Sequence, residues 1–185
     1  MRGWLRISRA IDRLNECVGR GTAWLVLAMA LVGAYNAVVR YLGRYIGVSL
    51  SSNAYIELQW YLFSLLFLFG AAYTLKHNAH VRVDVVYGRF TARVKAWINL
   101  FGTILFMIPF SGLTIWLSWP SVRNSWAVLE VSPDPGGLPR YPIKTAILVA
   151  FALLLLQGVS EIVKNVAILR GQLEETPEGT MREGV

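Results

Sequence analysis

The chain has 185 residues, 55% hydrophobic and only 16% charged, with 18 Lys+Arg against 11 Asp+Glu and a net charge of +7. Soluble domains carry about a quarter charged residues, so a water-soluble enzyme and an intrinsically disordered chain are both excluded. The mean hydropathy of +0.48 indicates a membrane protein, and a single cysteine, Cys17, excludes an intrachain disulfide and a cysteine-only metal cluster.

In chain order, the first element is an amphipathic helix over about residues 3–19. Trp4, Ile7, Ile11, Leu14 and Val18 recur at three- and four-residue steps, and Arg2, Arg6, Arg9, Arg13 and Arg20 take the opposite side. Such a helix suits the headgroup region, with Trp4, Ile7, Ile11 and Leu14 facing lipid and the arginines meeting anionic headgroups. The basic region is too long for a cleaved signal peptide, although Ala28-Met29-Ala30 resembles a cleavage site. A signal anchor is expected.

Four charge-free stretches follow: 21–39, 58–75, 96–122 and 145–160. A spanning helix needs about 17–25 mainly apolar residues, and with flanking residues the spans read as about 21–41, 54–76, 94–119 and 142–168. The expected fold is therefore an all-α membrane domain over 1–170, four transmembrane helices preceded by the interfacial helix. A flexible Glu-rich tail is expected over 171–185. Pro109 inside the third span predicts a kink, since it removes a backbone donor. Ser51, Ser52 and Asn53 are N-cap candidates for the second helix, and Pro142 can open the fourth. Residues 120–142, with five prolines and Gly136-Gly137, predict a structured non-helical excursion.

Lys and Arg sort by membrane side. With the N-terminus inside, thirteen lie on the cytoplasmic side and five outside. Both termini are expected in the cytoplasm of a bacterial or archaeal inner membrane, and no nucleic-acid partner is needed to explain the charge.

No Asp, Glu, Lys, Arg or His occurs within the four stretches, whereas ion pathways place such groups at membrane depth. The polar residues there, Asn36, Ser64, Asn99, Thr103, Ser111, Thr114 and Gln157, read as interhelical hydrogen-bonding groups. His77 and His80 lie in a loop rather than on facing helices, which disfavours haem; no catalytic, metal or cofactor site is expected. Residues 80–90 read as a short interfacial helix. Arg40 and Glu57 end adjacent spans at similar depth and suggest a structural pair.

The run 57–63, Glu-Leu-Gln-Trp-Tyr-Leu-Phe, continues to Phe69-Gly70-Ala71-Ala72-Tyr73-Thr74-Leu75 and then to His80-Val81-Arg82-Val83-Asp84-Val85. With Ile11-Asp12, Asn36, Arg40-Tyr41, Ser132-Pro133-Asp134 and Gly136-Gly137-Leu138-Pro139, it resembles the DctQ-like family over roughly residues 7–170. That family is the small membrane subunit of tripartite ATP-independent periplasmic (TRAP) transporters. The resemblance implies a sodium-coupled importer of organic acids, with a periplasmic binding protein and a large permease subunit as partners. This chain would then be a scaffold joined to the large subunit, His80, Arg82 and Asp84 a cytoplasmic loop motif, and Asp134, Gly136, Gly137 and Arg140 a candidate docking loop for the binding protein. The alternatives from other classes are a cytochrome b-type electron-transfer anchor, which would need in-span His, and a small multidrug exporter, which would need an embedded Glu in the first span.

Overall fold

A computed structural model describes residues 2–47, 52–79, 87, 89–175 and 181–183. Four helices in it are long and apolar enough to cross a membrane. The first, α1 (Arg2–Ile46), is one unbroken helix of 45 residues. At about 1.5 Å per residue it is roughly 68 Å long, about twice a ~30 Å hydrocarbon core. The expected break between an interfacial helix and a first span is absent, because no proline interrupts residues 2–46.

Helix α2 (Asn53–Lys76) starts at Ser52, whose side chain accepts the Ala54 N–H at 3.2 Å. It runs antiparallel to α1: Tyr35 stacks edge-on against Tyr55 at one end, and Gly19 lies under the Tyr73 ring at the other. A Cβ at Gly19 would overlap that ring, so glycine is what lets the two helices approach.

The third span is interrupted. Helix α3 (Ala92–Gly102) passes into a π-helical turn, Thr103–Met107, and continues as α4 (Ile108–Ala127). The cause is Pro109, which has no N–H and whose ring crowds the carbonyl four residues back. A wider turn just before it relieves that crowding. Pro120 was expected in the outer loop but lies inside α4; the excursion begins only after Ala127.

Helix α5 (Tyr141–Leu169) opens with Pro142 in its first turn and touches α1, α2, α3, the π turn and α4. Gly158 admits the Met107 side chain from the π turn. After α5, Gly171 at φ +68° turns the chain. Leu173–Glu175 (β1) then pairs antiparallel with Met181–Glu183 (β2), a short ribbon where the sequence suggests only a flexible tail.

The inside is polar and the outside apolar. Gln157, Asn15, Ser111, Ser125 and Ser160 are the largest fully buried side chains, whereas Trp24, Phe67, Phe106 and Trp116 are each more than 70% exposed. Helices that pack through small and polar residues and present aromatics outward are those whose solvent is lipid.

Candidate scaffold site: two polar junctions

The deepest polar cluster joins α1 to α5. Asn15 Nδ2 donates to Gln157 Oε1 at 2.8 Å, and Gln157 Nε2 donates to Asp12 Oδ1 at 2.9 Å and to Glu161 Oε1 at 3.0 Å. Ser160 donates to Asp12 at 2.7 Å and its hydroxyl meets that of Ser8 at 2.7 Å. Lys164 closes the cluster, 2.5 Å from Glu161 and 3.4 Å from Asp12. Ser8, Asp12 and Asn15 fall at i, i+4 and i+7, one stripe of α1 between its apolar and arginine faces. That spacing was available in the sequence; the dominant Trp/Ile/Leu and Arg stripes on either side hid it.

Next to Asn15 on α1, Glu16 ties α1 to the end of α2. Its carboxylate accepts from Lys76 at 2.6 Å, His77 at 2.8 Å and Arg20 at 2.8 Å. Lys76 and His77, ahead of Arg20, hold its pKa down at about 2 against an ordinary 4.5. Glu16 precedes the charge-free stretch, so solvent protons reach it. A depressed carboxylate pKa stabilises the fold above the unfolded value and loses that contribution as pH falls. The contribution is therefore expected to be complete above pH 4.5 and to fade towards pH 2. Thermal unfolding of wild type and Glu16→Gln should converge across that window; parallel curves would contradict it. His77, expected as a free loop histidine, is in this cluster and stacks on Tyr73.

The second junction closes the opposite end. Residues 128–140 form a narrow ribbon in which Ser132 N–H donates to Leu138 O at 3.1 Å and Arg140 N–H to Glu130 O at 2.8 Å. Its tip is a turn at Asp134, whose carbonyl accepts Gly137 N–H at 3.0 Å, with Gly136 at φ +73° where a side chain would be strained. The ribbon folds onto α2. Glu57, buried, accepts from the Ser132 hydroxyl and from Leu138 N–H at 2.5 Å. Asn53 donates to Pro135 O and Tyr61 to Pro139 O, both at 3.1 Å. On the α5 side Lys144 pairs with Glu130, holding that carboxyl below its usual range. Trp126 Nε1 donates to Thr145 at 2.7 Å.

The expected Arg40–Glu57 pair does not form. Glu57 turns to the ribbon, and Arg40 is exposed on α1 with no ion pair among the described residues. The fold of the ribbon onto α2 brings the Ser132 hydroxyl and the Leu138 N–H to the Glu57 carboxylate instead. Asp134, Gly136, Gly137 and Arg140 do lie together on the ribbon or at its end. Trp4, Ile7 and Leu14 are exposed and Ile11 half-buried. His80, Arg82 and Asp84, with most of the expected 80–90 helix, lie outside the described residues. Of the in-span polar groups, Gln157 bridges helices as expected, whereas Ser64 and Thr114 bond back to Trp60 O and Phe110 O in their own helices.

A family model described as the DctQ component of tripartite ATP-independent periplasmic transporters matches residues 29–167. The chain belongs to the DctQ family. It is thus the small membrane subunit of a TRAP transporter, a multi-pass component of a transport system rather than of an enzyme family. Comparisons with curated proteins and with solved structures give no match. The DctQ match covers the whole ribbon junction but only the α2 and α5 sides of the inner one. Ser8, Asp12, Asn15 and Glu16 precede residue 29.

Proposed function

We propose that this DctQ subunit is a rigid scaffold for a large permease subunit in a sodium-coupled importer, and that a periplasmic binding protein delivers its organic-acid substrate. The observation that carries the reading is the division of labour among side chains. The ion pairs among the described residues lie in the junctions at the two ends of the bundle, and the four stretches between them contain no charged residue. A protein without ionisable groups at membrane depth has little with which to bind and release sodium or an organic anion there. It has much with which to hold helices in fixed positions. The exposed aromatic faces of α3 and α4, including Phe101, Phe106, Phe110 and Trp116, offer apolar surface to lipid and to the permease. The excess of Lys and Arg near the two helix ends joined by Glu16 supports cytoplasmic termini and a periplasmic ribbon.

The test is reconstitution. Liposomes holding this chain alone are expected to take up nothing. Liposomes with the permease added, supplied with binding protein and substrate, are expected to show uptake that requires an inward sodium gradient. Uptake by this chain alone would overturn the scaffold reading; sodium-independent uptake by the full system would overturn the coupling.

A further inference from the structure

Two openings lie end to end along α2 and α5. The first, of about 460 Å³, is walled by Trp60, Ser64 and Phe67 of α2 and by Ile143 and Ile147 of α5. The second, of about 740 Å³, is walled by Ala71 and Leu75 of α2, by Leu154, Glu161 and Asn165 of α5, and by Gly102 of α3. These residues fall three or four apart on α2 and four or seven apart on α5, so each helix gives a single stripe and the two openings form one groove. It covers about 22 Å of α2, from Trp60 to Leu75, and about 33 Å of α5, from Ile143 to Asn165, at 1.5 Å per residue. A hydrocarbon core is ~30 Å thick, so the groove crosses both leaflets, and one acyl chain would fill only half of it. Gly102 is the residue that the chain itself does not explain. Its backbone is helical, at φ −58° and ψ −42°, so no turn demands glycine there. Gly19 and Gly158 each have a side chain of this protein lying on them, whereas a Cβ at Gly102 would meet nothing within 4 Å. Glycine weakens a helix relative to alanine, and in membranes it lets the backbone of another helix come close.

We propose that this groove seats one membrane-spanning helix of the large permease subunit, its backbone drawn against Gly102 and Ala71. The inference rests on the scaffold role proposed above and adds where on this chain the permease sits. The polarity of the groove fits such a helix. Its middle is apolar. Arg140 and Lys144 stand at the ribbon end in the field of Glu57 and Glu130. At the other end Glu161 lines the groove with Asn99 and Asn165, and the one cation of this chain paired with Glu161, Lys164, is shared with Asp12. Spanning helices carry Lys and Arg at their cytoplasmic flank, which brings a cation to Glu161. A lipid phosphate at that depth would meet a carboxylate.

Photo-crosslinking and co-purification of the full chain expressed with the permease subunit test it. Phe67 in the groove and Trp24 on α1 are both 72% exposed, so exposure alone does not distinguish them. A photo-crosslinker at Phe67 is expected to capture the permease, and one at Trp24 to capture lipid. Gly102→Leu places its side chain in open space, so thermal unfolding of this chain alone is expected to stay unchanged. The permease co-purified with Gly102→Leu is expected to fall about tenfold, and with Gly102→Ala by less. The crosslinks decide the matter if Gly102→Leu fails to fold. Capture of lipid or of a second copy of this chain at Phe67 would overturn the groove and leave the scaffold role standing. So would equal co-purification by wild type and Gly102→Leu. A wild-type chain that brings down no permease would overturn both.

Discussion

Gln157→Leu is expected to destabilise the purified chain, and Asn15→Leu added to it is expected to restore much of the loss. Gln157 and Asn15 are both almost wholly removed from solvent. The leucine keeps nearly the same volume, so packing changes little. What changes is that Asn15 Nδ2 loses its acceptor, while Asn15 Oδ1 already has none. A buried donor left unsatisfied costs about 1–3 kcal/mol, whereas replacing both partners with apolar groups of similar shape is nearly neutral. The two substitutions should therefore be strongly non-additive in equilibrium unfolding in detergent, with a coupling of at least about 0.5 kcal/mol. Asp12 moderates the effect, because it keeps Ser160 and Lys164 after Gln157 is gone. Additive losses would show that the amides act separately and that the inner junction is not one network.

This junction also shows where sequence reading stopped. The four spans, the N-cap at Ser52 and Pro142 in the first turn of α5 follow from hydropathy, capping chemistry and proline geometry, all local properties of the chain. The continuity of α1 does not. An amphipathic stretch and an apolar stretch read as two elements, yet both are helical, and nothing between Arg2 and Ile46 compels a break. Pro109 was legible as a disturbance, but its form, a π turn over Thr103–Met107, depends on packing against Gly158 on α5. Gln157 was visible as a polar residue in a span; its partners on α1 lie more than 140 residues away, beyond any periodicity. The Glu57 partners, 75 and 81 residues away, were also out of reach of local pattern. Helix depth placed Glu57 correctly at the end of the bundle, but which neighbour satisfies a carboxylate is decided by where a loop folds.

Glu57→Ala is expected to release the ribbon from α2, with a larger effect than any other single change in that junction. One carboxylate accepts both the Ser132 hydroxyl and the Leu138 N–H. Losing it leaves a buried backbone donor in the ribbon without a partner, and Asn53 and Tyr61 would hold the ribbon only through two neutral bonds to Pro135 and Pro139. Ser132→Ala removes one of the two Glu57 bonds and should do less. Glu57→Gln should fall between Ser132→Ala and Glu57→Ala, because its amide keeps one acceptor and turns a donor towards another donor. Gly137→Ala approaches the same point by steric means, since a Cβ there would sit 2.8 Å from Glu57 Oε2. The measurement is the rate at which Leu138→Cys, a half-buried site on the ribbon, introduced into each background with Cys17 replaced by Ser, reacts with an impermeant thiol reagent applied from the periplasmic side. Wild type should react slowly, Glu57→Ala and Gly137→Ala quickly, and Ser132→Ala in between. Cysteine that reacts only from the cytoplasmic side would reverse the proposed topology. Equal rates in all backgrounds would show that Glu57 does not fasten the ribbon. If the ribbon is the surface on which the binding protein docks, reconstituted uptake should fall in the same order as its release, because a loop ordered only on docking loses more entropy than one already fixed. Uptake that stays constant while the labelling rates diverge would separate the two roles, leaving the ribbon a closure of the bundle and not a docking surface.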